Sequence, residues 1–91
     1  MAGPQDSSKP RLAPGCRWGG AETHRVVLLP EGAIRMRGTG QRVLELCDGE
    51  RTFAEVVAQL EQEYSQADAT VIRADASRFL EQLQEKRIVD F

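Results

Sequence analysis

The sequence predicts an α+β, winged-helix-like fold in which a three-stranded antiparallel sheet is followed by three helices. Three observations carry that reading. Residues 25–37 hold two short apolar runs around Pro30-Glu31-Gly32, the pattern of a β-hairpin. After Met36 the apolar spacing lengthens from that of a strand to that of a helix. Two helix-start signals, Thr52-Phe53-Ala54-Glu55 and Asp68, then divide the C-terminal half.

Taken in order, residues 1–14 are rich in Gly, Pro, Ser and Lys and lack either period, so a flexible N-terminal tail is expected ahead of a single domain over 15–91. Gly15 to Trp18 reads as a first strand that Gly19-Gly20 ends. Val26 to Leu29 is apolar on both faces and suits a middle strand. A three-residue turn, Pro30-Glu31-Gly32, leads into a third strand over Ala33 to Arg37. There Ile34 and Met36 point one way and Arg35 and Arg37 the other. With no further strand signal after it, this third strand is expected at an edge.

Thr39 can cap a short helix whose inward residues are Val43, Leu46 and Cys47, with Gly49 as a left-handed stop. Thr52 and Glu55 form a capping box for the second helix, behind which Phe53, Val56, Val57, Leu60 and Tyr64 make an apolar stripe. Asp68 is the expected N-cap of a third helix running to about Lys86. Val71, Ile72, Ala76, Phe79, Leu80 and Leu83 lie on its inward side. The alternating end, Ile88 to Phe91, is expected to pack on the body.

With 91 residues there is room for one core and little else. The formal charge of −2 and a pI near 5.4 argue against nucleic acid as the main partner. The charge is uneven, +2 over residues 1–51 and −4 over 52–91, which suits protein partners. Cys16 and Cys47 read as reduced thiols of a cytoplasmic protein, and no apolar run is long enough for a membrane span. One histidine, His24, with two separated cysteines offers neither a zinc site nor a nucleophile-base pair. Gly38-Thr39-Gly40 is a fragment of a phosphate loop and is better explained as a flexible helix start. The sequence therefore points to neither a cofactor nor catalysis.

Arg35 and Arg37 admit two readings. Charges on an exposed edge prevent sheet-to-sheet aggregation, and pattern alone favours that. The same edge can accept a peptide as an added strand, if an apolar groove walled by the third helix supplements the backbone hydrogen bonds. A DNA-binding winged helix is the rival function, suggested by Arg73 and Arg78 on the third helix and opposed by Asp75, Glu81 and Glu85 beside them.

The ordered set Pro10-Arg11-Leu12-Ala13-Pro14-Gly15-Cys16-Arg17, Leu28-Leu29-Pro30-Glu31-Gly32, Leu46-Cys47-Asp48-Gly49-Glu50-Arg51-Thr52, then Asp75, Phe79-Leu80 and Leu83, resembles the PqqD family of pyrroloquinoline quinone biosynthesis. The resemblance implies a non-enzymatic cytoplasmic peptide chaperone that binds the precursor peptide PqqA and presents it to the radical-SAM enzyme PqqE. It implies that the leader adds to the third strand and lies against the third helix. Carried onto this chain, the peptide-binding residues are Ile34, Arg35, Met36 and Arg37 with Ile72, Asp75, Ala76 and Phe79. The chain departs from the family pattern at Leu29, where an aromatic is common, at Met36-Arg37, where Leu-Asn is common, and at Lys86-Arg87, where a glycine is usual. The doubly apolar strand and the Gly38 to Gly40 hinge suit a monomer or an exchange-type homodimer.

Overall fold

The computed structural model describes residues 3–21, 24–36 and 38–91. The elements are β1 (Arg11–Leu12), β2 (Arg17–Ala21), β3 (His24–Leu29), β4 (Gly32–Arg35), α1 (Gly38–Leu46), α2 (Phe53–Glu63), α3 (Ala69–Glu85) and β5 (Val89–Asp90). β2, β3 and β4 form an antiparallel sheet in that order, and the helices follow as expected. β3, apolar on both faces, is the middle strand. Val27 on it is 1% exposed and stands opposite Trp18 on one side and Ile34 on the other. Opposed residues share a face, so Trp18, Val27 and Ile34 turn towards the helices while Arg17, Leu28 and Ala33 turn away.

Several boundaries differ from those the sequence predicts. The first strand of the sheet starts at Arg17 and continues through Gly19 and Gly20 to Ala21. Gly19 is needed there because a Cβ would meet Leu28 Cδ1 at 2.9 Å. The hairpin loop is the two residues Pro30-Glu31, since Gly32 already pairs with Leu29. The third strand stops at Arg35, and Arg37 lies outside the described residues. The first helix begins at Gly38, which places Thr39 inside it rather than at its cap.

The second and third helices start where their signals say, whereas α1 ends at Leu46, ahead of the expected Cys47 and the Gly49 stop. Gly49 takes φ 80° in the turn beyond α1, and its N–H donates to the Pro10 carbonyl at 2.9 Å. In the turn that follows, the Asp48 carboxylate accepts the Glu50 and Arg51 backbone N–H groups at 2.9 and 3.0 Å. Those donors, Arg51 first, hold its carboxyl below the usual range. The Thr52 hydroxyl accepts the Glu55 N–H at 3.2 Å and the Glu55 carboxylate accepts the Thr52 N–H at 2.8 Å, which completes the capping box of α2. Asp68 caps α3 by accepting from Thr70 N–H at 2.7 Å.

The core is the meeting of the three helices under the inner sheet face. Phe53, Val56 and Leu60 of α2, Leu44 and Leu46 of α1, Leu80 of α3 and Val89 of β5 are all essentially without solvent contact. Cys47 belongs to it as well. Its thiol donates to the Val43 carbonyl at 3.2 Å, and burial pushes it up to about 12, so it behaves as an inert apolar group.

The described part of the expected N-terminal tail lies on the body. β1 pairs with β5, Arg11 opposite Asp90 and Leu12 opposite Val89, and Pro4, Pro10 and Ala13 are buried. The Ser8 carbonyl accepts the Phe53 N–H at 2.7 Å, and the Asp6 carbonyl accepts the Ala54 N–H at 3.2 Å. Residues 3–10 thus satisfy donors that the start of α2 would otherwise leave unpaired. Proline suits such a segment because it lies extended and needs fewer partners for its own backbone.

Candidate functional site

Two features bear on the site: the outer side of β4 and a cavity between the helices. Among the described residues no strand pairs with the outer side of β4. Its orientation follows from one bond, in which Met36 N–H donates to the Arg25 carbonyl at 3.0 Å. Antiparallel pairs alternate between bonded and non-bonded, so Gly32, Ile34 and Met36 turn their backbone groups to β3. Ala33 and Arg35 therefore turn theirs outward. Four backbone groups, two N–H and two C=O, are offered to a guest chain. At a net ~1 kcal/mol each, they cannot by themselves offset the ordering of a peptide.

The side chains of the strand divide as the alternation predicts. Met36 is buried, Ile34 is half-buried against the core, and Ala33 and Arg35 are exposed. Tight packing of Ile34 and Met36 fixes the height and twist of the strand, so its outer backbone groups are held in place.

The cavity has a volume of 350 Å³. Its walls are Thr39, Gly40 and Val43 from α1, with Leu60 and Tyr64 from the end of α2 and Ala67 from the loop after it. The fourth wall is α3, which contributes Val71, Ile72, Asp75, Ala76 and Phe79. Gly40 matters to its shape, because a Cβ at that position would stand 3.2 Å from Phe79 Cζ. The glycine lets α1 approach the ring of Phe79 and so sets the width of the trough.

All four helix residues expected at the site, Ile72, Asp75, Ala76 and Phe79, line this one cavity. None of the expected strand residues does. α1, the element that follows β4 in the chain, brings Thr39, Gly40 and Val43 to the cavity, while β4 itself supplies no lining residue. Sequence reasoning missed Tyr64 and Val71 as lining residues. It assigned both to the core, yet they are 38% and 53% exposed. A signal was present: both fall at the ends of their apolar stripes, where α2 stops and α3 has just begun, and no third element covers them.

The remaining charges hold the frame and leave the site apolar. Arg42 grips Glu63 with Nε to Oε1 at 2.7 Å and Nη2 to Oε2 at 2.6 Å, tying α1 to α2. The Arg42 bond, helped by Gln59, draws Glu63 down to about 2, and the same contact raises the Arg42 guanidinium further. Arg25 reaches Glu45 at 3.6 Å and lies 4.3 Å over the Trp18 ring, which ties the sheet to α1. Asp75 contacts Arg78 at 3.6 Å, and Arg73 pairs with Asp6 and lies over Phe53. The two arginines that suggest DNA binding are thus engaged with carboxylates of the chain itself. Among the described residues no group of three or more His, Cys, Asp or Glu is placed to hold a metal ion.

Comparison with known proteins gives one consistent family. The family model described as Coenzyme PQQ synthesis protein D (PqqD) matches residues 25–89. A protein of Methylococcus capsulatus named PqqA binding protein is 38% identical over 65 residues, spanning 71% of this chain and 67% of that one. A PqqA binding protein of Azotobacter vinelandii is 31% identical over 83 residues, spanning 89% and 88%. The solution structure of the PqqD truncation of Methylobacterium extorquens PqqCD, described as a functional, stand-alone recognition element for ribosomally synthesized and post-translationally modified peptides, superposes with a TM-score of 0.75. It is 32% identical and covers 96% of this chain and 94% of that one. TbiB1, solved in complex with the TbiA(β) leader peptide, has a TM-score of 0.76 at 22% identity, covers 88% of this chain and 94% of that one, and shares the fold.

Proposed function

The chain belongs to the PqqD family, and on that premise we propose that it is a non-catalytic cytoplasmic peptide chaperone. It binds the precursor peptide PqqA by strand addition to β4 and presents it to the radical-SAM enzyme PqqE. The observation that supports this most is the outward turn of the Ala33 and Arg35 backbone groups, in a chain whose α1 and α3 also line an apolar trough. A β edge supplies grip without regard to sequence, and side chains seated in the trough supply selectivity. In this reading Ile34 and Met36 set the strand, Arg35 and Arg37 flank the guest, and Ile72, Asp75, Ala76 and Phe79 receive it.

Four edge bonds and an apolar contact, less the ordering cost, imply affinity between high nanomolar and micromolar, about −8 kcal/mol at the latter. Calorimetric titration with PqqA, followed by size-exclusion chromatography of the mixture with PqqE, tests the proposal. The expected result is one-to-one peptide binding in that range and a three-component peak that needs the peptide or is strengthened by it. Absence of heat and of co-elution would overturn it. DNA binding is not favoured: the relatives are named for a peptide, the chain is acidic overall, and Arg73 and Arg78 are paired.

A further inference from the structure

β3 carries apolar side chains on both faces, and the core accounts for one of them. Val27 belongs to the core and Leu29 packs against it, whereas Val26 and Leu28, which alternate with them, do neither. Their neighbours across the sheet define the outer face: Leu28 stands between Arg17 and Ala33, and Val26 between Gly19 and Arg35. The missing side chain at Gly19 lets Leu28 lie across β2, since a Cβ there would meet Leu28 Cγ at 3.0 Å. The middle of this face is therefore level and apolar, with Val26 and Leu28 only half-buried. An antiparallel sheet with one face in water alternates apolar and polar residues. Two aliphatic side chains on the water side of the central strand depart from that pattern and mark a surface that a partner covers.

The rim gives the chemistry of the partner. Arg17 and Arg35 are exposed at opposite margins of the face and are absent from the ion pairs of the described residues. Packing this face on a second copy about a two-fold axis would set one arginine rim against another. A different protein, with an apolar patch edged by carboxylates, is complementary in both respects.

Continuity with the β4 edge says which protein. Residues of an added strand that pair with Ala33 and Arg35 share their face. A bound guest thus turns alternate side chains onto the surface that holds Val26 and Leu28, and widens it to four strands. A protein seated there touches the chain and its guest at once.

We propose that the outer face of the β2–β3–β4 sheet is the surface on which the modifying enzyme docks, through an apolar patch edged by Asp and Glu. The inference rests on the reading of the chain as a chaperone that presents PqqA to PqqE, and it names the surface of presentation. Val26 and Leu28 supply the apolar contact, and Arg17 meets a carboxylate of the enzyme. Because the guest extends the face, the enzyme binds the loaded chain more tightly than the free one.

The test measures the affinity of the full chain for PqqE by calorimetry, with and without saturating PqqA, for the parent, Arg17→Glu and Leu28→Thr. Arg17 is exposed, threonine suits a strand, and neither position lies on β4. Each variant should therefore bind PqqA within about twofold of the parent, which also shows that it is folded. Affinity for PqqE should fall about tenfold or more in each, and the loss in Arg17→Glu should shrink as salt is raised. Methyl signals of Val26 and Leu28 should shift when PqqE is added, and PqqA should tighten the binding of PqqE to the parent. If PqqE binds the parent and both variants equally, the face is not its dock, and the inference is overturned while presentation stands. If Leu28→Thr instead changes only the sedimentation of the chain alone, the face joins copies of the chain and the inference is likewise overturned. If PqqE does not bind the parent with or without PqqA, presentation itself has failed and this inference with it.

Discussion

The sheet has two outer strands, and they are not equivalent. By the same alternation that turns Ala33 and Arg35 outward from β4, Trp18 and Gly20 turn their backbone groups outward from β2. On β2, however, Gly20 has φ 80°, a left-handed residue inside the strand that breaks the regular spacing of its outer groups. Trp18 is held beneath Arg25. On β4 the positive φ, 156° at Gly32, stands at the first residue, ahead of the outward-facing Ala33 and Arg35; Ile34 and Met36 pack inward, and α1, the next element in the chain, lines an apolar cavity. An edge becomes receptive when it is regular and when something next to it compensates for ordering the guest. β2 fails the first condition, and β4 meets both.

The largest expected effect comes from a change that treats both edges alike. Leu80 of α3 has no solvent contact, and Leu80→Ala should lower stability by ~2–5 kcal/mol. Denaturant unfolding measures that loss, while peptide affinity of the protein that remains folded should be unchanged. An effect on one edge alone is expected from Arg35→Pro. The Arg35 N–H has no partner on β3, so proline removes a donor from the outer side and leaves the hairpin ladder intact. Binding of PqqA by calorimetry should weaken by ~1–3 kcal/mol, with a small change in melting temperature. Equal loss of binding from disruption of the β2 edge would break the comparison.

A third change concerns a left-handed backbone position. Arg87 takes φ 61° in the turn before β5. A left-handed non-glycine residue costs ~1–2 kcal/mol, so Arg87→Gly should raise stability by up to ~1 kcal/mol once the added freedom of the unfolded chain is subtracted. It should leave peptide binding alone, because Arg87 and its hydrogen-bond partners Gln84 and Cys16 neither pair with β4 nor line the cavity. Thermal unfolding compared with the parent reads the effect.

How much of this was legible in the sequence depends on what each feature needs. The existence of the hairpin, the capping box and the Asp68 cap is set by neighbours within a few residues and was read correctly, whereas the hairpin loop is one residue shorter than its turn signal suggests because Gly32 already pairs with Leu29. β1 and β5 are two residues long, too short for any period, and exist only because Arg11–Leu12 and Val89–Asp90 come together across the whole chain. The Gly- and Pro-rich start gives no hint that it closes the first turn of α2. Tyr64 and Val71 show a different limit: a helical stripe says which side chains are apolar, but tertiary packing decides which are covered. The α3 residues of the candidate site were named through the family resemblance, which places the peptide against the third helix; Ile72, Ala76 and Phe79 also share the apolar stripe with Leu80 and Leu83, whereas Asp75 does not. That they border a cavity rather than the core required the placement of α1.

The smallest expected effect tests the frame that supports both edges. Glu63 is drawn down to about 2 by Arg42, below its ordinary 4.5, so folding favours its ionised form. Its contribution is present above pH 4.5 and is lost as the pH falls towards 2. The pair is partly exposed, so screening keeps that contribution below ~1 kcal/mol. Glu63→Gln should cost that amount at neutral pH and progressively less as the pH falls from 4.5 through 2, as measured by denaturant unfolding across that range.

The most direct test of the central claim is amide hydrogen exchange read residue by residue by NMR, with and without PqqA. The account predicts that Ala33 and Arg35, whose N–H groups face outward, exchange readily in the free protein and become protected on binding, while Trp18 and Gly20 are unaffected. Protection of Trp18 and Gly20 with Ala33 and Arg35 unchanged would contradict it.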